Sequence, residues 1–430
     1  MRVELPGFVY KYVTENSAEC NEQTAFVLTS QNEKYLDDAK KNGAHSIIKI
    51  SQIAEIFAID KIKIVGLTGT NGKTTTASAI YSFLLDLDYK VALQGTRGFF
   101  MNDEIVEGKS LTTPSVLNTY IHIYQAVSAG CEFFIMEVSS HAIVQKRVEG
   151  LNFELKILTN ITQDHLDYHK TMGEYTAVKN SFFADESRKL INKDETKASF
   201  NIKNTMTYGI ENSATYRLIA YSLNNASSGI IQNFQDVVPF TASLHGFFNL
   251  YNLMAAISAT HMLVGGKLED VCNVVDNFAG VSGRMEQVSE TPNVIVDFAH
   301  TPDGMAQVLN ALKEKELLVV FGAGGDRDKE KRPMMGKVAA SLAKKVYVTS
   351  DNPRSEDPQL IANDIVAGIE DKSILSIELN RKKAIQMALN EQEEDEVVVI
   401  LGKGDEATQI IYDKELPFDD RKIVRELLSK

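Results

Sequence analysis

Short, nearly continuous apolar runs alternate with segments of helical period along most of this chain. From Lys61 to Thr68 the residues read Lys-Ile-Lys-Ile-Val-Gly-Leu-Thr, which predicts a buried strand by its length and lack of polar alternation. The glycine-rich turn Gly69-Thr-Asn-Gly-Lys-Thr-Thr75 follows, and a helix is expected from Thr74 to Asp86. Similar runs from Val91 to Leu93, Phe133 to Val138 and Leu155 to Leu158 each feed a polar loop. Strands that alternate with helices predict an α/β protein built on a parallel, doubly wound sheet. Around Val281-Ser-Gly-Arg-Met-Glu286 the pattern restarts. Strands are expected from Val294 to Phe298, Leu317 to Phe321, Lys345 to Thr349 and Val397 to Leu401, as in a second, Rossmann-like unit. Ahead of both, an apolar run from Thr24 to Thr29 and a helical stretch from Gln31 to Lys41 suggest a small α/β unit. The expected division is therefore 1–60, 61–281 and 282–430. In open parallel sheets ligands sit beyond the carboxyl ends of the strands, where the chain's glycine-rich and charged loops all fall.

At 430 residues the chain exceeds what one ordinary core supports, in keeping with several domains. With 44% hydrophobic and 24% charged residues it has a globular composition, and no apolar run approaches the roughly 18 residues of a membrane span. The opening Met-Arg-Val-Glu-Leu-Pro-Gly places Glu4 and Pro6 where an export signal would be apolar, so cytoplasmic residence is expected. Cys20, Cys131 and Cys272 are widely spaced, which argues against a disulfide framework or a thiolate metal site. A net charge of -13 would repel a nucleic-acid backbone, so no nucleic-acid partner is expected. The basic residues Lys329, Lys331 and Arg332 alternate with acids and read as a local anion site.

The turn after the first strand carries chemistry. Backbone N–H groups of Gly69, Thr70, Asn71 and Gly72, with the positive end of the following helix, make an anion cradle. Lys73 adds a cation for terminal phosphates, and Thr74, followed by Thr75, offers a hydroxyl to magnesium. Five residues, not the usual four, separate Gly66 from Gly72, so the loop is a compact Gly-x-x-Gly-Lys-Thr variant.

Gly69-Thr-Asn-Gly-Lys-Thr74 resembles the nucleotide loop of the Mur ligases and of the related folylpolyglutamate synthases. Leu111-Thr-Thr-Pro114, Glu137-Val-Ser-Ser-His141, Thr159-Asn-Ile-Thr-Gln-Asp-His-Leu-Asp-Tyr-His169, Gly283-Arg-Met-Glu286 and Asp297-Phe-Ala-His-Thr-Pro302 are similar to Mur ligases of the tripeptide-forming type. These matches run in family order from about residue 60 to the end. The resemblance implies a small N-terminal UDP-binding domain, a central ATP-binding domain and a C-terminal amino-acid-binding domain. It also implies ATP-dependent amide-bond formation on UDP-N-acetylmuramoyl-L-Ala-D-Glu through an acyl phosphate, in peptidoglycan synthesis, by a monomer.

By the same resemblance Lys73 and Thr74 hold phosphates and a first magnesium together with Glu137, while His165 and Lys179 serve a second. An ammonium has no lone pair for a metal. In the family the lysine matching Lys179 is carbamylated by carbon dioxide, which supplies an anionic oxygen donor. Thr112, Thr113, Ser139, Gln145 and Arg147 are implied contacts of the muramyl-dipeptide. Asn249 and Asn252, three apart and so on one helical face, resemble nucleotide-contacting asparagines, and Arg284, Asp297 and His300 resemble the last domain's contribution to ATP.

Four pieces of the last third are expected to converge on the incoming amino acid: Gly324-Gly-Asp-Arg-Asp-Lys329, Asp351-Asn-Pro-Arg354, Glu356-Asp357 and Gly402-Lys-Gly-Asp-Glu406. Asp351-Asn-Pro-Arg354 resembles the motif of ligases that add meso-diaminopimelate, whose distal head carries both a carboxylate and an ammonium. An arginine grips a carboxylate through two hydrogen bonds, which a lysine substrate could not use. The resemblance thus implies that Arg327, Asn352 and Arg354 hold carboxylates, with Gly402 and Glu406 around the distal ammonium. Asp405 departs from the family's Gly-Lys-Gly-His-Glu. The stretch before the phosphate loop is shorter than in relatives, so no uridine contacts are assigned. Three other readings are weighed: the same ligase adding L-lysine, a folylpolyglutamate synthase, and a P-loop switch or binding module. The switch accounts for Lys73 and Thr74 but leaves His165, Lys179 and the C-terminal loops without a purpose.

Overall fold

The computed structural model describes residues 3–4, 9–109, 111–223 and 227–429; Pro6 and most of the opening segment lie outside the described residues. The N-terminal portion forms a four-stranded sheet of Val3–Glu4, Tyr12–Thr14, Thr24–Leu28 and Ser46–Lys49. The helix expected after it is shorter than predicted. Glu33–Tyr35 is a 3-10 turn and the α-helix spans only Leu36–Lys41.

An eleven-stranded sheet comes next. At its centre lies β1 (Lys63–Thr68), followed by α1 (Lys73–Asp86), β2 (Phe133–Glu137), β3 (Phe153–Leu158), α2 (Met172–Ser181) and α3 (Phe247–Val264). β1 pairs in parallel with β3 on one side and β2 on the other. Each of these strands is buried over nearly its whole length, which is why their sequences read as apolar runs rather than as alternations. Gly66 lies inside β1 where a Cβ would stand 2.6 Å from the Phe153 ring. It permits close packing and takes no part in the phosphate loop.

Both margins of this sheet depart from the expected parallel pattern. Tyr216–Ser222, Ser227–Asn233 and Asp236–Ala242 are joined as antiparallel neighbours, and so are Val91–Gly95, Gly98–Met101 and Glu104–Glu107. α3 is an 18-residue helix long and apolar enough to cross a membrane by composition, but 72% of it is buried inside the protein. Its apolar residues pack against α1 and the sheet, so it reads as a core helix.

The last portion holds β4 (Val294–Asp297), α4 (Pro302–Ala311), β5 (Glu316–Phe321), α5 (Lys331–Leu342), β6 (Lys345–Val348) and β7 (Glu396–Leu401). Its six-stranded sheet has the order Glu286–Ser289, β4, β7, β5, β6, Leu375–Ile377. All neighbours run parallel except the first pair. The carboxyl ends of β4, β5, β6 and β7 lead into the loops at Phe298, Gly322, Thr349 and Gly402, which line a cavity shared with the phosphate loop.

Candidate active site

The cavity, about 650 Å³, lies between the two large sheets. Thr70 to Thr75, Glu137, His165, Asn249, Asn252, Arg284, Asp297, His300, Arg327, Asp351, Asn352, Arg354, Gly402 and Glu406 all line it. Residues more than three hundred positions apart in sequence are thus brought to one place.

The phosphate loop is held in shape from below. At Gly69 φ is +152°, and a Cβ there would stand 1.8 Å from the Thr159 hydroxyl; at Gly72 φ is +82°, with a Cβ 2.2 Å from Asn252 Oδ1. Only glycine fits either position. Asn71 N–H donates to Asn160 Oδ1 (2.9 Å), and Thr159 Oγ1 donates to the Asn71 carbonyl (2.7 Å). Lys73 Nζ donates to the carbonyls of Gly69 and Thr70 at 2.8 and 2.9 Å. It therefore lies folded back over the cradle. Burial draws its pKa below the ordinary lysine value against the pull of Glu137 and Asp164.

At the start of α1, Thr74 Oγ1 donates to Glu137 Oε2 (2.9 Å), and the other Glu137 oxygen accepts from Thr96 N–H (2.9 Å). A hydroxyl and a carboxylate adjacent at the mouth of a phosphate cradle are hard oxygen donors, the set magnesium takes when substrate phosphates and water complete its octahedron. Among the described residues no group of three or more His, Cys, Asp or Glu is arranged to hold a metal unaided.

Lys179, on α2, is 1% exposed and donates to the same Gly69 carbonyl as Lys73, at 2.7 Å. Burial first, and then the neighbouring Lys73, hold its pKa well below the ordinary lysine value, only partly opposed by Asp164. His165 has φ of +55° and places Nε2 3.2 Å from Asp164 Oδ2. Its pKa falls to about 3 through burial, against the favourable field of Asp164. Asp164 is the hub of this corner. Burial would raise its pKa, but His165, His300 and Lys331 hold it far below the carboxylate range.

Asn249 and Asn252 do lie on one face of α3, where Asn252 Nδ2 donates to Asn249 Oδ1 (2.9 Å). Arg284 stacks over the Phe298 ring, 4.2 Å from its centroid. Asp297 accepts from the N–H groups of Met285 and Ala299 at 2.7 and 2.6 Å, while burial raises its pKa. His300 Nδ1 lies 3.0 Å from the Phe298 carbonyl, which fixes the ring and leaves Nε2 free of that contact.

The candidate muramyl-dipeptide residues divide. Thr112 lines the cavity, with its hydroxyl 3.0 Å from that of Thr96. Thr113, Ser139, Gln145 and Arg147 form a linked cluster beside it: Thr113 Oγ1 donates to the Glu137 carbonyl (2.9 Å), Arg147 Nη1 to the Thr113 carbonyl (2.8 Å) and Arg147 Nε to Gln145 Oε1 (3.0 Å). Ser139 caps the helix Ser140–Val144.

Toward the C-terminal sheet, Arg354 takes φ of +50° and donates from Nη1 to the Gly325 carbonyl (2.7 Å). Burial and the nearby Arg327 lower its pKa; both arginines lie beside Gly324 and line the cavity, a concentration of positive charge that suits a carboxylate. Asn352 is already committed: its Nδ2 donates to Glu406 Oε2 (2.9 Å), and its Oδ1 accepts from Lys403 Nζ (3.1 Å) and Ile410 N–H (2.9 Å). Asp351 Oδ2 presses on Gly402, where a Cβ would stand 2.4 Å away.

The basic cluster read as one anion site is split by the fold. Lys329 is 67% exposed and pairs with Glu356 at 3.1 Å, Arg332 is fully buried between Glu356 and Asp364, and Lys331 alone faces the cavity, 3.9 Å from Asp164. Lys403 and Asp303 were not singled out as site residues by the sequence, and Lys331 was read only as one member of that basic cluster. Asp303 accepts from Asn71 Nδ2 (2.8 Å), which joins α4 to the phosphate loop. Nothing in the local sequence marks Asp303, because its partner Asn71 lies in the phosphate loop of the other sheet.

The Mur ligase middle domain family matches residues 67–260, and the Mur ligase, glutamate ligase domain family matches residues 283–404. A Wolinella succinogenes protein named UDP-N-acetylmuramoyl-L-alanyl-D-glutamate--2,6-diaminopimelate ligase is 52% identical over 98% of this chain and 96% of its own length. A Helicobacter pylori protein of the same name is 48% identical over 97% of this chain and 95% of its own. A solved structure of a ligase so named superposes with a TM-score of 0.68 at 29% identity, covering 99% of this chain and 97% of that one. The folylpolyglutamate synthase of Mycobacterium tuberculosis, 16% identical with a TM-score of 0.67, shares the fold. The chain belongs to the Mur ligase family, whose members form amide bonds with ATP and magnesium.

Proposed function

We propose that this protein adds meso-diaminopimelate to the D-glutamate of UDP-N-acetylmuramoyl-L-Ala-D-Glu at the expense of ATP, in peptidoglycan precursor synthesis. The observation that carries the reading is that Arg327 and Arg354, both beside Gly324, line the cavity that also holds the phosphate loop, supported by relatives of that name across nearly the whole chain.

The reaction has two balanced steps. A carboxylate oxygen of the D-glutamate attacks the terminal phosphorus of ATP, and ADP leaves with the bridging oxygen. The amine of diaminopimelate then attacks the acyl carbon, phosphate leaves, and the amine loses a proton. In the first step two anions must meet, so the site needs positive charge close by. Gly69 to Gly72 hold the phosphates through backbone N–H groups, and Lys73 swings from the Gly69 and Thr70 carbonyls to the terminal phosphate. Asn249, Asn252, Arg284, Asp297 and His300 surround the rest of the nucleotide. Thr74 and Glu137 would hold one magnesium ion and His165 with Lys179 a second, and the ions would supply charge screening for the phosphates during transfer.

Lys179 serves as a carbamate in this reading. Burial holds the Lys179 pKa well below the ordinary lysine value and so favours the neutral amine, the form that attacks carbon dioxide; the Nζ–C bond forms, a proton leaves, and an anionic oxygen donor results. Thr112, Thr113, Ser139, Gln145 and Arg147 orient the muramyl-dipeptide. Arg327 and Arg354 clamp the distal carboxylate of diaminopimelate, and Glu406 with Gly402 and Asp351 receives its ammonium. Asn352 acts by holding Glu406 in place. The working division is 1–60 for UDP, 61–281 for ATP and 282–430 for the amino acid. In this reading the enzyme acts as a monomer. Its place is the cytoplasm, a reducing compartment that suits three buried cysteines.

The test is ADP release by purified enzyme with ATP, magnesium, UDP-muramoyl-dipeptide and diaminopimelate, omitting each in turn. Turnover is expected only when all are present. Turnover independent of the peptide and the amino acid would support a nucleotide switch instead.

A further inference from the structure

We propose that Asp405 is a positioning residue that locks the amino-acid-binding loop onto the edge of the ATP-binding sheet through Arg97 and Lys109. This deepens the ligase reading and rests on it. The Asp405 carboxylate lies 3.3 Å from Lys109 Nζ and 3.8 Å from Arg97 Nε, and its side chain is 16% exposed. Both cations belong to the margin of the eleven-stranded sheet: Arg97 connects the strands Val91–Gly95 and Gly98–Met101, and Lys109 follows the strand Glu104–Glu107.

What makes the contact consequential is where each end is anchored. Arg97 follows Thr96, whose N–H is bonded to Glu137 at the magnesium corner. Asp405 precedes Glu406, which is bonded to Asn352 and to the buried Lys403 at 2.9 Å each. The ion pairs therefore tie the acyl-activating end of the site to its amine-delivering end within one residue of each. The backbone beneath Asp405 is equally constrained, because a Cβ on Gly283 would stand 2.1 Å from Asp405 N. Lys109 and Arg284 also face the same Phe298 ring, at 5.7 and 4.2 Å from its centroid, so the lock is a small network rather than a lone surface pair. Isolated exposed pairs contribute little, while networks that share one well-shielded carboxylate contribute more. A histidine at position 405, the residue expected from the family pattern, would be mostly neutral at pH 7 and could not make this contact with two cations.

The test uses the full-length enzyme with Asp405→Asn, Asp405→His, Asp405→Lys and the charge-reversed combination Asp405→Lys with Arg97→Glu and Lys109→Glu. Asp405→Asn and Asp405→His are expected to raise KM for diaminopimelate about three- to tenfold, with KM for ATP within about twofold of wild type. Raising sodium chloride from about 0.05 to 0.5 M should raise KM for diaminopimelate in the wild type and leave it flat in Asp405→Asn. Asp405→Lys should be the weakest enzyme, and the charge-reversed combination should recover most of the loss, which a purely structural role of the loop would not produce. Small-angle scattering of the free proteins gives a readout that needs no turnover: Asp405→Lys should expand the molecule and the reversed combination should restore it. An unchanged KM in Asp405→Asn, or no recovery on charge reversal in either readout, would overturn the proposal. Loss of the ligase reading alone would leave the scattering result standing.

Discussion

Lys73 and Lys179 donate to one and the same carbonyl oxygen, that of Gly69, at 2.8 and 2.7 Å. Two ammonium groups on one carbonyl repel, and burial lowers both pKa values, that of the more enclosed Lys179 well below the ordinary lysine value. The cost of this arrangement makes sense if Lys179 does not remain an amine. Lys179→Ala is expected to lower kcat about a hundredfold or more. Wild-type enzyme stripped of carbon dioxide should lose activity and regain it on addition of bicarbonate. Intact-protein mass spectrometry under bicarbonate should show the carbamate's added mass in wild type alone. Full activity in Lys179→Ala would make the lysine structural.

Lys73→Ala removes the cation that the terminal phosphate needs, and should cut kcat by about a hundred- to a thousandfold while the protein stays folded. Circular dichroism of the variant should match that of the wild type. Retained turnover would place the ATP site elsewhere.

Arg354→Ala should raise KM for diaminopimelate steeply and leave KM for ATP nearly unchanged. A charge-assisted contact to a carboxylate in a partly enclosed site is worth about 2 to 4 kcal/mol, or roughly thirty- to a thousandfold in kcat/KM. L-Lysine should gain little, because removing a clamp builds no pocket for a bare ammonium tail. Steady-state phosphate release with each amino acid varied gives the comparison. Equal use of diaminopimelate by mutant and wild type would reduce Asp351 to Arg354 to a turn.

Acid stability should depend on Glu356. Its pKa is lowered from 4.5 to about 2, chiefly by the hydrogen bonds from Arg332, whose Nη1 and Nη2 lie 3.0 and 2.8 Å away. A carboxylate with a depressed folded-state pKa binds fewer protons in the native state, so it contributes stability above its unfolded value. That contribution fades as pH falls from about 4.5 toward 2. Urea midpoints measured across this window should drop in wild type and change less in Glu356→Gln, whose stability is already reduced at pH 7. Parallel pH profiles would assign the acid sensitivity to other carboxylates.

Much of the central architecture was legible in sequence because buried parallel strands bury both faces, and runs such as Phe133 to Glu137 leave no other reading. The phosphate loop was equally plain, since Gly69 and Gly72 occupy positions that admit no side chain. The antiparallel margins were not: Glu104–Glu107 is exposed throughout, so burial leaves little mark on its residues. Site residues within a motif were legible through the motif. Asp303 was not, because its partner Asn71 is brought near only by the fold, and Lys331, read with Lys329 and Arg332 as one anion site, is set apart from them 3.9 Å from Asp164. Asn352 shows the reverse limit. The motif marked it as a substrate contact, while its side chain is occupied in holding Glu406 and Lys403.

The central claim is the identity of the bond formed, and the mass of the product tests it most directly. Purified enzyme is incubated with ATP, magnesium and UDP-N-acetylmuramoyl-L-Ala-D-Glu, with either meso-diaminopimelate or L-lysine, and the nucleotide products are weighed by mass spectrometry. The expected result is a UDP-linked tripeptide heavier than the substrate by one diaminopimelate residue, formed with one ADP per peptide, and little or no lysine adduct. A lysine adduct formed equally well, or ADP without any tripeptide, would contradict the account.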